Sequence, residues 1–215
     1  RLGVLDASEC PPTFRADPEQ VQGIIAGGRK ALWSAVEGAE DDAAAGRAAA
    51  IHRNVGSEDV VIGISASGQA PFIWGCLHEA KQRGATTVLL TCHPGYLDHP
   101  LPGKVIAADT GPEILTGSTR LKAGTATKMI LNLITTLAMT HSGKVMSNLM
   151  IDLNPSNTKL RARAVGIVSA LTGCDEKAAK AELEEIGWIV REACEAISAK
   201  TEDGLDFHVS IEGRN

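Results

Sequence analysis

The tetrad Ser65-Ala66-Ser67-Gly68 follows the apolar run Val60-Val61-Ile62-Gly63-Ile64 and precedes Pro71. Two hydroxyls and a glycine between a buried strand and a helix start are the parts of an anion cradle. Free backbone N–H groups and the positive end of the helix face the ligand, and the missing side chain lets the backbone approach it. An ordinary strand-to-helix turn uses the same residue types, so both readings stand. No GxxxxGK[ST] pattern occurs, which excludes a Walker loop. A second hydroxyl-rich stretch, Thr116-Gly117-Ser118-Thr119-Arg120-Leu121-Lys122, opens a long apolar-patterned segment. It reads either as another anion-facing helix start or as a plain cap with solvated Arg120 and Lys122. Two such starts in one chain favour a phosphorylated small molecule more than either does alone.

The carboxylates that could move protons are Asp6, Glu9, Glu37, Glu40 and Glu113. Asp6 and Glu9 are three apart and share one face of a helix, as do Glu37 and Glu40. Most surface carboxylates are simply solvated. Glu9 stands between Leu5 and Cys10-Pro11-Pro12, where a half-buried position is expected. Burial there would raise its pKa towards general-acid duty. Asp41 and Asp42 beside Glu40 act on it in the same direction by like-charge repulsion. The six histidines form no HxxxH or HExxH pattern, so a metal site has little support. His93 alone falls at the carboxyl end of a strand. No GxSxG motif is present. Cys10, Cys76, Cys92, Cys174 and Cys194 are odd in number, widely spaced and without a CxxC pair. They read as reduced thiols of a cytoplasmic protein.

The elements that must position these residues follow from periodicity. Residues 60–64, 71–83 and 86–92 form a strand, helix and strand, which implies parallel pairing through a crossover. A short strand is expected at 104–108 and a long helix from Thr116 to His141. Before them, the spacing predicts a helix from residue 2 stopped by Pro11-Pro12, a strand at 21–28, a short helix at 29–37, and an Ala-rich helix ending near Asn54. After Pro155 come helices at about 158–171 and 175–199, with Thr172 or Asp175 as cap of the second, and then a tail from Thr201 expected to fray. The fold class is α/β with a small all-helical C-terminal segment. The domains run 1–148 and 149–215.

The chain has 215 residues, 44% of them hydrophobic and only 3% aromatic. Its core must therefore rest on Ala, Val, Ile and Leu. A formal charge of −5 argues against a nucleic-acid partner. No apolar run is long enough for a membrane span, and no membrane partner is expected.

Five stretches carry a resemblance: RLGVLDASECPPTF at 1–14, AVEGAEDD at 35–42, VVIGISASGQAPF at 60–72, TGSTRLKAGTATKMILN at 116–132 and GKVMSNLMIDL at 143–153. Over about residues 1–175 the chain resembles the N-acetylmuramic acid 6-phosphate etherases. These are sugar isomerase (SIS) domain proteins related to the glucokinase regulatory protein. The resemblance implies a flavodoxin-like SIS domain, and cleavage of the C3 lactyl ether of a phosphorylated amino sugar by elimination and water addition. No metal or redox cofactor is implied. It assigns the proton donor to Glu9 in LDASE and the second catalytic glutamate to Glu40 in EGAED, here given the C2 deprotonation. Ser65, Ser67 and Gly68, with Ser118 and Thr119, would hold phosphate and sugar. Glu113 resembles the glutamate that precedes the same helix in related isomerases. A homodimer is implied, and so is a strand with a Gly/Ser-rich phosphate loop ahead of Arg1, so the domain is expected to lack its first strand and loop.

This chain has Gln69-Ala70 where the family usually has Arg-Thr after SASG, and His93 where it usually has Asn. From about Ile186 the resemblance fades. The alternative is a non-catalytic sugar-phosphate-binding regulatory SIS protein, which the loss of the Arg favours. The presence of both Glu9 and Glu40 favours the lyase. An aldose–ketose isomerase on the same fold fits the LDASECPP and EGAEDD stretches less well.

Overall fold

The computed structural model describes residues 1–200, and the tail from Thr201 lies outside the described residues. The chain divides into two compact units, one of Arg1–Asp6 with Gln22–Leu133 and the other of Ala7–Val21 with the residues from Ile134 onward. The division passes within α1 (Leu2–Phe14) and α4 (Lys122–His141).

The first unit is the α/β part. Strands β1 (Val60–Ile64), β2 (Thr86–Thr91) and β3 (Lys104–Ala107) form a parallel sheet in that order. Val60 is opposite Thr86, and Val88 is opposite Lys104. The central strand β2 is buried at every position after Thr86, as expected for a parallel strand covered on both faces. Helix α2 (Ala43–His52) is capped by Asp42, which accepts the Ala45 N–H at 2.8 Å, and α3 (Pro71–Gln82) begins on Pro71. Ala50, Val55, Cys76, Ala80 and Ala85 form a buried cluster.

Helices α2 and α3 pack against each other with almost no space between their backbones. A Cβ on Gly46 would sit 2.0 Å from the Phe72 carbonyl oxygen, and one on Gly75 would sit 2.0 Å from the Ala43 carbonyl oxygen. The small residues at these two positions are what permit the approach.

The second unit is helical. Cys10, Phe14 and Ala16 pack with Met139, Val21 and Val145. Around Ile151, Leu153, Val168, Leu183, Val190 and Cys194 lies a larger core from α5 (Thr158–Thr172), α6 (Glu176–Glu185) and α7 (Val190–Lys200). Asn157 caps α5 and Asp175 caps α6 through their side chains. Asp152 takes a two-pronged hydrogen bond from Arg191 at 3.1 and 3.2 Å, with the Lys144 ammonium 3.5 Å away. Among the described residues no helix is long and apolar enough to cross a membrane.

Several expected boundaries are corrected. Helix α1 runs through Pro11 and Pro12 to Phe14. Each proline forgoes the N–H that would bond the carbonyl four residues back, and burial of Cys10 and Phe14 holds the turn. Arg15, at φ 48, ends it. Residues 21–28 are not a strand: they have no ladder partner and close on Gly27 and Gly28, both at positive φ. The helix expected at 29–37 is a 3-10 turn at Gly28–Leu32. The long helix starts at Lys122 rather than Thr116. The helix expected at 175–199 is two helices, separated where Gly187 (φ 73) and Trp188 (φ 66) turn left-handed.

Candidate active site

The Ser65–Gly68 loop leaves the carboxyl end of β1. Ser65 continues the ladder, its N–H donating to the Leu90 carbonyl at 3.0 Å, and its residue is buried. Its hydroxyl makes no hydrogen bond to protein among the described residues. The chain then turns: the Gly68 N–H returns to the Ser65 carbonyl at 3.0 Å, and the Gln69 N–H donates to Ser67 Oγ at 3.3 Å. Gly68 has φ 74, and a Cβ there would meet the Tyr96 ring at 2.2 Å. Only glycine suits this position, on both conformational and spatial grounds.

Cys92, just past β2, ties this loop to the second hydroxyl-rich stretch. Its N–H donates to the Ala66 carbonyl at 2.9 Å, and its Sγ lies 3.9 Å from the Ala123 carbonyl. The Ser65–Gly68 loop and the start of α4 therefore meet at the carboxyl edge of the sheet, where open parallel sheets place their ligands.

Ser118 and Thr119 stand in turns ahead of α4, not within it. The cause is Glu113, whose carboxylate accepts the Lys122 N–H and the Ala123 N–H, each at 3.0 Å, and so sets the first turn. The Ala123 hydrogen bond, opposed by desolvation and aided by the Lys122 amide and ammonium, holds the Glu113 carboxyl below its ordinary range. These two amides are thus occupied by a carboxylate, while the hydroxyls of Ser118 and Thr119 have no protein partner among the described residues. Arg120, Leu121, Lys122, Thr125 and Met129 line an open cleft of about 620 Å³ at this helix start.

Glu40 lies in a 3-10 turn, Ala39–Asp41, that leads directly into the capped start of α2. It is exposed. The close α2–α3 contact joins the helix that follows Glu40 to the helix that follows the Ser65–Gly68 loop. A Coulombic interaction links Glu40 to Arg1. Glu40 is therefore within Coulombic reach of the amino end of α1. Glu9 lies further along α1 and is exposed, so the half-buried position expected of it is not observed. The buried carboxylate of that helix is instead Asp6, which accepts Asn132 Nδ2 at 2.7 Å.

Two contributors, Cys92 and Trp74, escaped sequence reasoning, and the inward role of Asp6 was not distinguished from that of Glu9. Cys92 was read only as a reduced thiol, yet it joins the Ser65–Gly68 loop to the start of α4. Asp6 differs from Glu9 only by one helical turn, and nothing local marks which of them faces inward. Trp74, whose Nε1 donates to the Gly68 carbonyl at 2.7 Å, gave no signal at all. All five cysteines are free. Among the described residues no group of three or more His, Cys, Asp or Glu side chains could hold a metal ion.

Residues 1–81 match the profile of the glucokinase regulatory protein N-terminal SIS domain, and residues 147–203 match that of the C-terminal lid domain of glucokinase regulatory protein. The second match extends past Ile186, where the resemblance was expected to fade. The chain is 53% identical over 196 residues to the N-acetylmuramic acid 6-phosphate etherase of Gloeobacter violaceus, covering 90% of this chain and 63% of that protein. It is 50% identical to the enzyme of the same name from Rhizobium rhizogenes, covering 87% and 61%. With that of Symbiobacterium thermophilum it is also 50% identical, covering 93% and 66%. The chain thus spans a little under two thirds of the length of the curated relatives it matches. Its parallel SIS sheet, its lid-like helices and this identity across nearly the whole chain together show that it belongs to the N-acetylmuramic acid 6-phosphate etherase family of SIS-domain proteins.

Proposed function

We propose that the chain carries out the reaction named for its relatives, as a carbon–oxygen lyase acting on N-acetylmuramic acid 6-phosphate. The products are N-acetylglucosamine 6-phosphate and D-lactate, an amino-sugar catabolic step that recycles cell-wall material. The observation that carries the reading is identity of about half of all residues with several etherases. In support, the Ser65–Gly68 loop, the Ser118–Thr119 turn and the Glu40 turn all belong to one compact unit.

In this reading the phosphate rests on Ser65, Ser67 and the Gly68 backbone, and the sugar lies against Ser118 and Thr119, whose turn Glu113 shapes. Glu40 takes the C2 proton of the open-chain sugar. The electron pair forms the C2–C3 double bond as the C3–O bond breaks, and Glu9 gives its proton to the departing lactate oxygen. Water then adds at C3 and a proton returns to C2. Two carboxyls in different settings divide acid and base work. A homodimer is part of the proposal, with a second copy covering the exposed apolar residues Ile114, Leu115, Met129 and Leu133. So is a cytoplasmic location.

The glucokinase regulatory protein names of both matching profiles, with Gln69 in place of the usual Arg, favour the second reading, a non-catalytic sugar-phosphate sensor. Turnover in ¹⁸O-water decides between them. The lyase releases D-lactate with its ether oxygen unlabelled and places one solvent oxygen on the sugar. A sensor binds N-acetylglucosamine 6-phosphate and releases no lactate.

A further inference from the structure

Trp74 is in the second turn of α3, and its indole Nε1–H donates to the Gly68 carbonyl at 2.7 Å. In a planar trans peptide the carbonyl and the following N–H point in opposite directions. Fixing the Gly68 carbonyl on the indole therefore aims the Gln69 N–H away from it, onto Ser67 Oγ at 3.3 Å. A hydroxyl has one proton to donate. With Ser67 Oγ already accepting from Gln69, that proton is left for an acceptor outside the loop, which is what an anion requires.

The indole is itself held in place. Its ring lies 5.7 Å from Tyr96 and 4.7 Å from His99, and Tyr96 in turn lies 5.7 Å from His93. The Tyr96 ring also fills the space that a side chain at position 68 would need. The cluster thus grips the loop from both sides of Gly68.

We propose that Trp74 is a positioning residue for the anion cradle, acting through the Gly68 peptide to present the Ser67 hydroxyl as a donor to the sugar phosphate. This deepens the sugar-phosphate reading above and rests on it. Trp74 does not touch the ligand. It sets the orientation of a group that does, so its loss weakens binding rather than proton transfer.

The test is Trp74→Phe in the full chain, which keeps an aromatic ring against Tyr96 and His99 but removes the donor. With N-acetylglucosamine 6-phosphate as probe, the Kd is expected to rise about fivefold to tenfold, the effect of one hydrogen bond. KM rises in parallel and kcat changes less than about twofold. In a Ser67→Ala background the same substitution has little further effect, because the two act as one unit. The unaltered protein gives an independent readout, since one of the indole N–H resonances of its three tryptophans shifts as the probe titrates. Unchanged affinity in a folded Trp74→Phe protein, full additivity with Ser67→Ala, or an indole spectrum that does not respond to a bound probe would each overturn the inference alone. A parent protein that binds no N-acetylglucosamine 6-phosphate would overturn the sugar-phosphate reading and the inference with it.

Discussion

Replacing Gly75 by alanine adds one methyl group at the place where α2 and α3 come closest. That carbon would lie 2.0 Å from the Ala43 carbonyl oxygen and 3.0 Å from the Ala43 Cα. Ordinary contact begins near about 3.4 Å, so the helices must part by more than an ångström, and both obstacles are backbone atoms that cannot rotate away. Overpacking of this kind costs about 1–3 kcal/mol, and backbone obstacles put it at the upper end. At roughly 2–4 °C per kcal/mol for a chain of this size, Tm should fall by about 6–12 °C. Gly166, in the exposed face of α5, is the control: a Cβ there meets nothing within 4 Å. Gly166→Ala gains helix propensity and should stabilise by about 0.5–1 kcal/mol. Calorimetry or thermal unfolding by circular dichroism measures both. The Gly75 substitution also displaces the helix that follows Glu40 from the helix that follows the cradle, so turnover should fall beyond the loss of folded protein. A Gly75→Ala protein as stable and active as the parent would refute the argument that this crossing is close-packed and sets the site.

Two further outcomes are expected. Glu113 is ionised in the fold at pH values where an unfolded Glu already takes up a proton. Its contribution is therefore fully present above the ordinary Glu pKa of about 4.3 and is lost as pH falls through its lowered native value. The stability difference between parent and Glu113→Gln should be constant near neutrality and shrink only in the acid range, and a difference that grows on acidification would contradict the capping geometry. Leu133 is 59% exposed on α4, so Leu133→Lys should leave thermal stability within about 0.5 kcal/mol of the parent. It should shift the mass measured by light scattering from dimer to monomer. A dimer that survives the added charge would remove this face from the proposed interface.

How much of this was legible in the sequence differed from one segment to the next. The parallel βαβ unit was legible because Val60–Ile64 is a short, continuous apolar run and Thr86–Thr91 sets Val88-Leu89-Leu90 between β-branched threonines, with a helix-length spacer between them. Asn157 and Asp175 cap helices through their own side chains, and Asp175 was one of the two caps considered for its helix, with Thr172 the other. What failed was decided by contacts distant in sequence. The last turn of α1 survives two prolines because Cys10 and Phe14 are buried against Met139 and Val145. The run at 21–28 has strand composition but no edge to pair with. Helix α4 begins six residues late because a carboxylate nine residues upstream of Lys122 occupies its first amides.

The candidate site was legible as a set of residue types, not as an arrangement. Ser65, Ser67 and Gly68 announce themselves by their place after a buried strand. Glu9 and Glu40 were singled out by resemblance, and the burial expected of Glu9 belongs to Asp6. The links through Cys92 and Trp74 depend on which atoms face each other, and no local pattern encodes that.

The central claim is that two glutamates perform an elimination on a sugar anchored by its phosphate. D-lactate release from N-acetylmuramic acid 6-phosphate, measured for the parent, Glu9→Gln and Glu40→Gln alongside the Kd of each for N-acetylglucosamine 6-phosphate, tests it most directly. The account predicts steady lactate release by the parent, a loss of at least about a hundredfold in kcat for each variant, and affinities within about threefold of one another. Parent-like lactate release by both variants, or no release by a parent protein that binds the sugar phosphate, would contradict it.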